Sequence, residues 1–154
     1  MMRAQFDHEK LEVYQLELAF LSWVTPLLAK VKQTGASIRT AEVIDQLDRA
    51  SLSALLNTAE GNGRRQAQTR ARFFDDARGS AAECAACLDA LVAKGLCPAT
   101  DVNEGKEMLL RIVSMLTKLV ARFDQSSSSS SSIMREEPDE ERTRDEEEDE
   151  NEET

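Results

Sequence analysis

Histidine occurs once in this 154-residue chain, aromatic residues make up 5% of it, and no apolar run approaches the ~20 residues that a bilayer span needs. The missing span argues against an integral membrane protein. Met1 to Lys10 also lacks the apolar centre of a secretory signal, so the folded body is expected to be soluble and cytoplasmic. The lone histidine, His8, sits among charged residues at the start of a helical pattern, where a solvated or capping role is expected rather than acid–base catalysis. With no histidine or lysine base beside them, Ser80 and Glu83 read as helix surface or interface and not as a hydrolytic pair. Three cysteines are an odd number, and Cys84 and Cys87 fall three apart inside an Ala-rich helical pattern, as small core residues of a reducing compartment would. The alternative, a zinc site of Cys84, Cys87, Cys97 and His8, is disfavoured because structural zinc ligands pair on turns and the first pair here is mid-helix. Gly61 and Gly63 lack the preceding strand and third glycine of a dinucleotide loop, and the lysine and Ser/Thr of a P-loop. The chain is therefore read as non-enzymatic, with no catalytic residue, metal or cofactor.

What is present is apolar content of 41%, enough for one core. Charge is unevenly placed. Residues 1–125 hold 16 Lys+Arg and 16 Asp+Glu, whereas residues 126–154 hold 3 and 13, so the formal charge of -10 belongs to the tail. Seven serines, Ser126 to Ser132, open that tail, and a nearly unbroken acidic run follows. Such a segment buries too little apolar area to offset the entropy of ordering, so residues 126–154 are expected to be disordered and residues 1–125 to form the domain.

Four helical patterns fill the domain. The first, residues 7–33, opens at Asp7 and closes at Gly35, with Pro26 predicting a kink or an early end. It carries two apolar stripes: Leu11, Tyr14, Leu18, Leu21 and Leu28 on one side, and Leu16, Phe20, Trp23 and Leu27 nearly opposite. One stripe can face the core. The Leu16, Phe20, Trp23 and Leu27 stripe is assigned to an interface with another copy of the chain. The second helix runs from about Thr40 to Glu60, with Gly61 just past its end and a turn through Asn62 and Gly63. The third, about Gln66 to Lys94, repeats Phe73, Ala77, Ser80, Cys84, Leu88 and Leu91 at alternating three and four spacing, a bundle seam. Its small residues permit close approach, and Gly79 leaves room for a further helix behind. Gly95, Leu96 and Pro98 mark its stop. The fourth helix starts near Thr100 or Asp101, with Asp101 and Glu104 as a capping box, and ends around Phe123. Leu109, Ile112, Leu116, Leu119 and Phe123 face inward.

Two polar features stand out. Ser53, Asn57 and Glu60 share a face of the second helix, with Arg49 upstream, and the apolar residues around them predict an internal hydrogen-bonding and ion-pairing set in which Glu60 meets Arg64 or Arg49. Between Gly61 and Arg72 there are four arginines, Arg64, Arg65, Arg70 and Arg72, and no acid. With Arg111, Lys118 and Arg122 on the fourth helix they are the candidate phosphate contacts.

The pattern Gln46-Leu47-Asp48-Arg49-Ala50, Ser53, Asn57-Thr58-Ala59-Glu60-Gly61-Asn62-Gly63-Arg64, then Phe73-Phe74, Ala77, Gly79-Ser80 and Glu83, resembles the four-helix-bundle family of 23S ribosomal RNA intervening-sequence proteins. That family is related to the accessory variability determinant of diversity-generating retroelements. The Leu11-Glu12-Val13-Tyr14-Gln15 start and the Leu109-to-Phe123 helix are similar too, so the resemblance covers about residues 6–123. It implies an all-α, up-down antiparallel four-helix protomer, a homopentameric barrel and no established enzymatic activity. For the retroelement branch it implies nucleic-acid binding by a basic surface and association with a reverse transcriptase.

The expectation is thus a non-enzymatic, homo-oligomeric (pentameric) helical-bundle scaffold that binds RNA or DNA through the Arg64 to Arg72 turn. The alternative is a protein-interaction module whose acidic tail recruits a basic partner or masks the basic face.

Overall fold

The structure, a computed structural model, describes residues 5–34 and 40–133, with side chains as far as Gln125. A one-turn 3-10 segment at Asp7–Lys10 precedes α1 (Glu12–Gln33). Then come α2 (Thr40–Gly63), α3 (Ala67–Ala93), a second 3-10 segment at Ala99–Asp101, and α4 (Asn103–Ile133). No strand occurs among the described residues. α2 packs on α3 and α3 on α4, while α1 closes the square against α2 and α4. Contacts run in opposite residue order between neighbours, which makes the bundle antiparallel and up-down. Glu17 meets Thr58 and Asp7 meets Asn62, and on the far side Asp89 meets Lys106 and Phe74 meets Phe123.

The core is a continuous set of apolar side chains from all four helices, including Val24 and Val31, Leu47, Phe74, Leu88 and Leu91, and Leu109, Ile112 and Leu116. Of the seam read from the sequence on α3, Ala77, Cys84, Leu88 and Leu91 are buried, whereas Phe73 and Ser80 are half-buried and Phe74 and Ala81, one position on, take their places in the core. Gly95, at φ 72°, ends α3 as expected: its N–H donates to Val92 and that of Leu96 to Leu91, the paired bonds of a helix stop in which the left-handed residue is glycine.

Several expected boundaries move. The first pattern breaks at Leu11, which is extended (φ −70°, ψ 127°), so Asp7 opens only a 3-10 turn and its carboxylate instead accepts from Asn62 Nδ2 at 2.9 Å. Gly35 lies outside the described residues. α1 runs past Pro26 to Gln33, because Pro26 and Ser22, the residue whose carbonyl loses its donor, are both exposed to water. α2 extends through Gly61 to Gly63. Gly61 is a buried helical residue and not a stop: a Cβ there would lie 3.0 Å from the Cβ of Phe73 and 3.1 Å from the Phe74 ring, so glycine is what lets α3 close on α2. Gly79 is exposed, with nothing within 4 Å of a Cβ position, so among the described residues no helix packs behind it. Asp101 sits in the 3-10 turn, and its carboxylate lies 3.5 Å from Lys30 Nζ. α4 ends at Ile133 instead of Phe123, since serine has adequate helix propensity and no glycine or proline intervenes. The acidic residues 134–154 lie outside the described residues.

The interface stripe on α1 is reversed. Phe20 is 2% exposed and Leu27 is also buried, while Leu16 and Trp23 are half-buried against the same core. Trp23 packs on α4 at Gly105, where a Cβ would come within 2.1 Å of Cζ3. The Leu16, Phe20, Trp23 and Leu27 stripe is therefore mainly an inner face joining α1 to α4: Phe20 and Leu27 are taken up by the protomer's own core, and only the half-buried Leu16 and Trp23 reach its surface. The other stripe contains the open residues: Leu18 is exposed and Leu11, Tyr14 and Leu21 are half-exposed, whereas Leu28 is buried.

Candidate nucleic-acid interface

The polar stripe of α2 is satisfied within the bundle. Ser53 Oγ and Ser80 Oγ share a hydrogen bond of 2.9 Å between α2 and α3, and Asn57 Nδ2 donates to the Ser53 carbonyl at 3.0 Å and to its Oγ at 3.1 Å. Glu60 stands apart from this set and pairs with Arg64, as expected from the sequence. Arg49 and Glu83 are exposed. Half-buried and internally paired, Ser53, Asn57 and Ser80 align two helices and leave the chemistry to other residues.

The arginines converge on two rings. Arg64 lies over the Phe73 ring with its carbon 4.9 Å from the centroid, and Arg72 over the same ring at 5.6 Å. Arg70 and Arg122 lie over Phe123 at 4.9 and 5.5 Å, and Phe123 in turn meets Phe74 at 5.8 Å. Arg70 also donates to the Gly61 carbonyl at 3.3 Å and to the Asn62 carbonyl at 2.6 Å, closing the C-terminal end of α2 where acceptors lack helical donors. Arg65 is exposed beside this group. One end of the bundle thus gathers arginines from the α2–α3 turn, α3 and α4 around half-buried aromatic rings, a combination that suits an anionic ligand.

Not every predicted contact joins. Arg111 points toward α1, with Nη2 3.6 Å from Glu12 Oε1, and lies about three turns of helix from Arg122. Lys118 is exposed on α4 one turn before Arg122. Next to the arginine end, a groove of about 670 Å³ between α3 and α4 is lined by Arg72, Arg78, Asp75 and Asp124 among others, and Arg78 pairs with Asp75. Its mixed charge makes it less suited to phosphate than the arginines around Phe73 and Phe123.

A family model for the 23S rRNA-intervening sequence protein matches residues 9–118. The chain belongs to that family. The match spans the four helices as far as Lys118 and includes the Ser53, Asn57 and Ser80 set, the Gly61 approach and the Arg64 to Arg72 turn. No curated protein sequence matches the chain.

Other titratable groups lie away from the arginines. Burial pushes the Cys84 thiol up to about 12, helped by Cys87 and Glu83, and Cys87 and Cys97 are also raised chiefly by burial, which keeps all three as thiols. Among the described residues no group of three or more His, Cys, Asp or Glu side chains could hold a metal ion, and no helix is long and apolar enough to cross a membrane.

Sequence reasoning missed Glu17. It is 2% exposed within the core face of α1, its Oε1 accepts from Thr58 Oγ1 at 2.6 Å, and its Oε2 is buried without a hydrogen-bond partner among the described residues. Burial raises its pKa to about 8, against a smaller lowering by the Thr58 hydroxyl. The available signal was its place in the register Val13, Glu17, Phe20, Val24, where a lone acid interrupts an apolar face. Phe123 was read only as a core residue, although it is the ring on which Arg70 and Arg122 meet.

Proposed function

We propose that this protein is a self-associating helical scaffold that holds the phosphate backbone of RNA at the arginine end of its bundle. The observation that carries the reading is the convergence of Arg64, Arg70, Arg72 and Arg122 on Phe73 and Phe123, with Arg65 exposed beside them. Guanidinium groups already lie over both rings, so contact with phosphate is favoured over base stacking, and recognition is of charge and shape more than of sequence. Four to five such contacts on a single strand give an affinity loss of about 50- to 130-fold between about 50 and 200 mM salt.

Self-association is supported by two apolar edges on opposite sides of the square. Leu18, Leu52 and Leu56 stand exposed along α1 and α2, and Leu110 projects from α4 beside a groove lined by Ala82, Ala85 and Val113 between α3 and α4. Two different edges joined head to tail generate a ring when the rotation closes, and the family resemblance suggests five copies. The test of the RNA reading is titration of a labelled oligouridine with the full-length protein and with an Arg65→Ala, Arg72→Ala variant. Binding that falls steeply with salt and weakens about 10- to 30-fold in the variant is expected, at roughly 0.7–1 kcal/mol per lost exposed phosphate contact. Undetectable binding at about 50 mM salt by a protein whose acidic tail has been neutralised refutes it.

A further inference from the structure

The end of the bundle that gathers arginines is also the end from which the acidic segment departs. Phe123 lies under Arg70 and Arg122, and the helical backbone of α4 continues from there to Ile133, about 15 Å farther at 1.5 Å per residue. Residues 134–154 then carry thirteen acids against three arginines, a formal charge of -10, whereas the rest of the chain is balanced. Twenty-one residues are long enough, at a covalent limit of about 3.3–3.6 Å each, to span the roughly 15 Å back to the arginines.

We infer that the acidic segment 134–154 occupies the arginine end and competes there with RNA, so that the protein carries its own polyanion as an intramolecular mask. The inference rests on the RNA reading above and adds the regulation of that site. Charge complementarity supports it: Arg65 and Arg72 have no ion pair among the described residues, and carboxylates offer them the same bidentate partner as phosphate does. Tethering raises the local concentration of the segment to the order of 1 mM. A contact with an intrinsic dissociation constant of about 0.1 mM then leaves roughly one tenth of the sites open and weakens RNA binding about tenfold.

The experiment compares the full-length protein with a full-length variant whose thirteen tail acids are replaced by their amides, both titrated into labelled oligouridine. The neutralised variant is expected to bind about tenfold more tightly at about 50 mM salt, and the ratio is expected to fall toward one by about 300 mM, where both contacts are screened. Adding Arg65→Ala and Arg72→Ala to both proteins should erase most of the difference. Measurable but equal binding by the two tails overturns the inference and leaves the RNA reading standing, and weaker binding by the neutralised variant overturns it as well. Where neither protein binds RNA, a labelled peptide of residues 134–154 is titrated into the neutralised variant. Arginine-dependent peptide binding upholds the tail contact and overturns the RNA reading, and no binding overturns both.

Discussion

Replacing Glu17 by glutamine should convert a pH-sensitive bundle into a pH-insensitive one. The carboxyl is enclosed between α1 and α2 with one hydrogen bond and one orphan oxygen, and its pKa in the folded protein is about 8, against an ordinary value of 4.5. Because the folded value is the higher one, the folded state holds the proton more tightly than the unfolded chain. The contribution to stability is complete below about pH 4.5 and disappears as pH rises through about 8. Between those limits the unfolding free energy should fall by about 1.4 kcal/mol per pH unit, or about 4 kcal/mol from pH 5 to pH 8. That is a large share of the ~5–15 kcal/mol typical of a whole domain.

Urea unfolding at fixed protein concentration measures the effect directly. With a urea dependence of about 2 kcal/mol per molar, the wild-type midpoint should drop by about 2 M between pH 5 and pH 8. Glutamine can still accept from Thr58 and never ionises, so the Glu17→Gln midpoint should stay nearly level, and the variant should be the more stable protein at pH 8 despite an unpaired amide that costs about 1–3 kcal/mol. Every other titratable side chain is common to both proteins and cancels in the comparison. Parallel midpoint curves from pH 5 to pH 8 would refute the assignment of a neutral, desolvated Glu17.

Three glycines should respond to alanine in a fixed order of melting temperature. Gly105→Ala drives a Cβ into the Trp23 ring and should cost about 1–3 kcal/mol or more, recovered in part by Trp23→Leu. Gly61→Ala meets the Phe73 Cβ and the Phe74 ring at 3.0–3.1 Å, crowded but less so than at Gly105, and should cost less, and Gly79→Ala, in open space mid-helix, should stabilise by about 0.5–1 kcal/mol. Equal effects at Gly61, Gly79 and Gly105 would contradict the packing described, and a loss of stability at Gly79 alone would place that surface against another copy. For assembly, Leu56→Glu on one edge and Leu110→Glu on the other should each lower the mass in solution, since a charge at a buried copy-to-copy contact is strongly disfavoured. A wild-type protein that sediments as a monomer would remove the self-association reading.

Local periodicity made the four helices legible. Ala77, Cys84, Leu88 and Leu91 of the seam and the stop at Gly95 appear where the sequence puts them, because both depend on residues within a few turns of one another, while Phe73 and Ser80 yield their core places to the adjacent Phe74 and Ala81. The facing of α1 was not legible. Its two apolar stripes are nearly equal in content, and the choice between them is made by Gly105, some eighty residues away, which admits the Trp23 ring against the α4 backbone. Gly61 misled for a related reason. Glycine followed by Asn62 and Gly63 is a common helix ending, yet here the residue is required by the approach of Phe73 and Phe74 from the next helix. Glu17 was hidden because a single acid within an apolar register looks like an ordinary break in the stripe until Thr58 is seen opposite it.

The arginine end shows the same division between local and distant information. Arg64, Arg65, Arg70 and Arg72 are contiguous enough to be noticed together, but only the tertiary register adds Phe123 and Arg122 and separates Arg111, which turns to Glu12. It also gives the four turn arginines unequal work. Arg70 closes the end of α2 with two carbonyl contacts and bridges to α4 through Phe123, so it belongs as much to the fold as to any ligand. Arg65, exposed and without an ion pair among the described residues, contributes nothing comparable to packing. A binding defect in an Arg65 variant can therefore be assigned to the surface itself, whereas a defect in an Arg70 variant confounds the surface with the α2–α3–α4 junction that supports it.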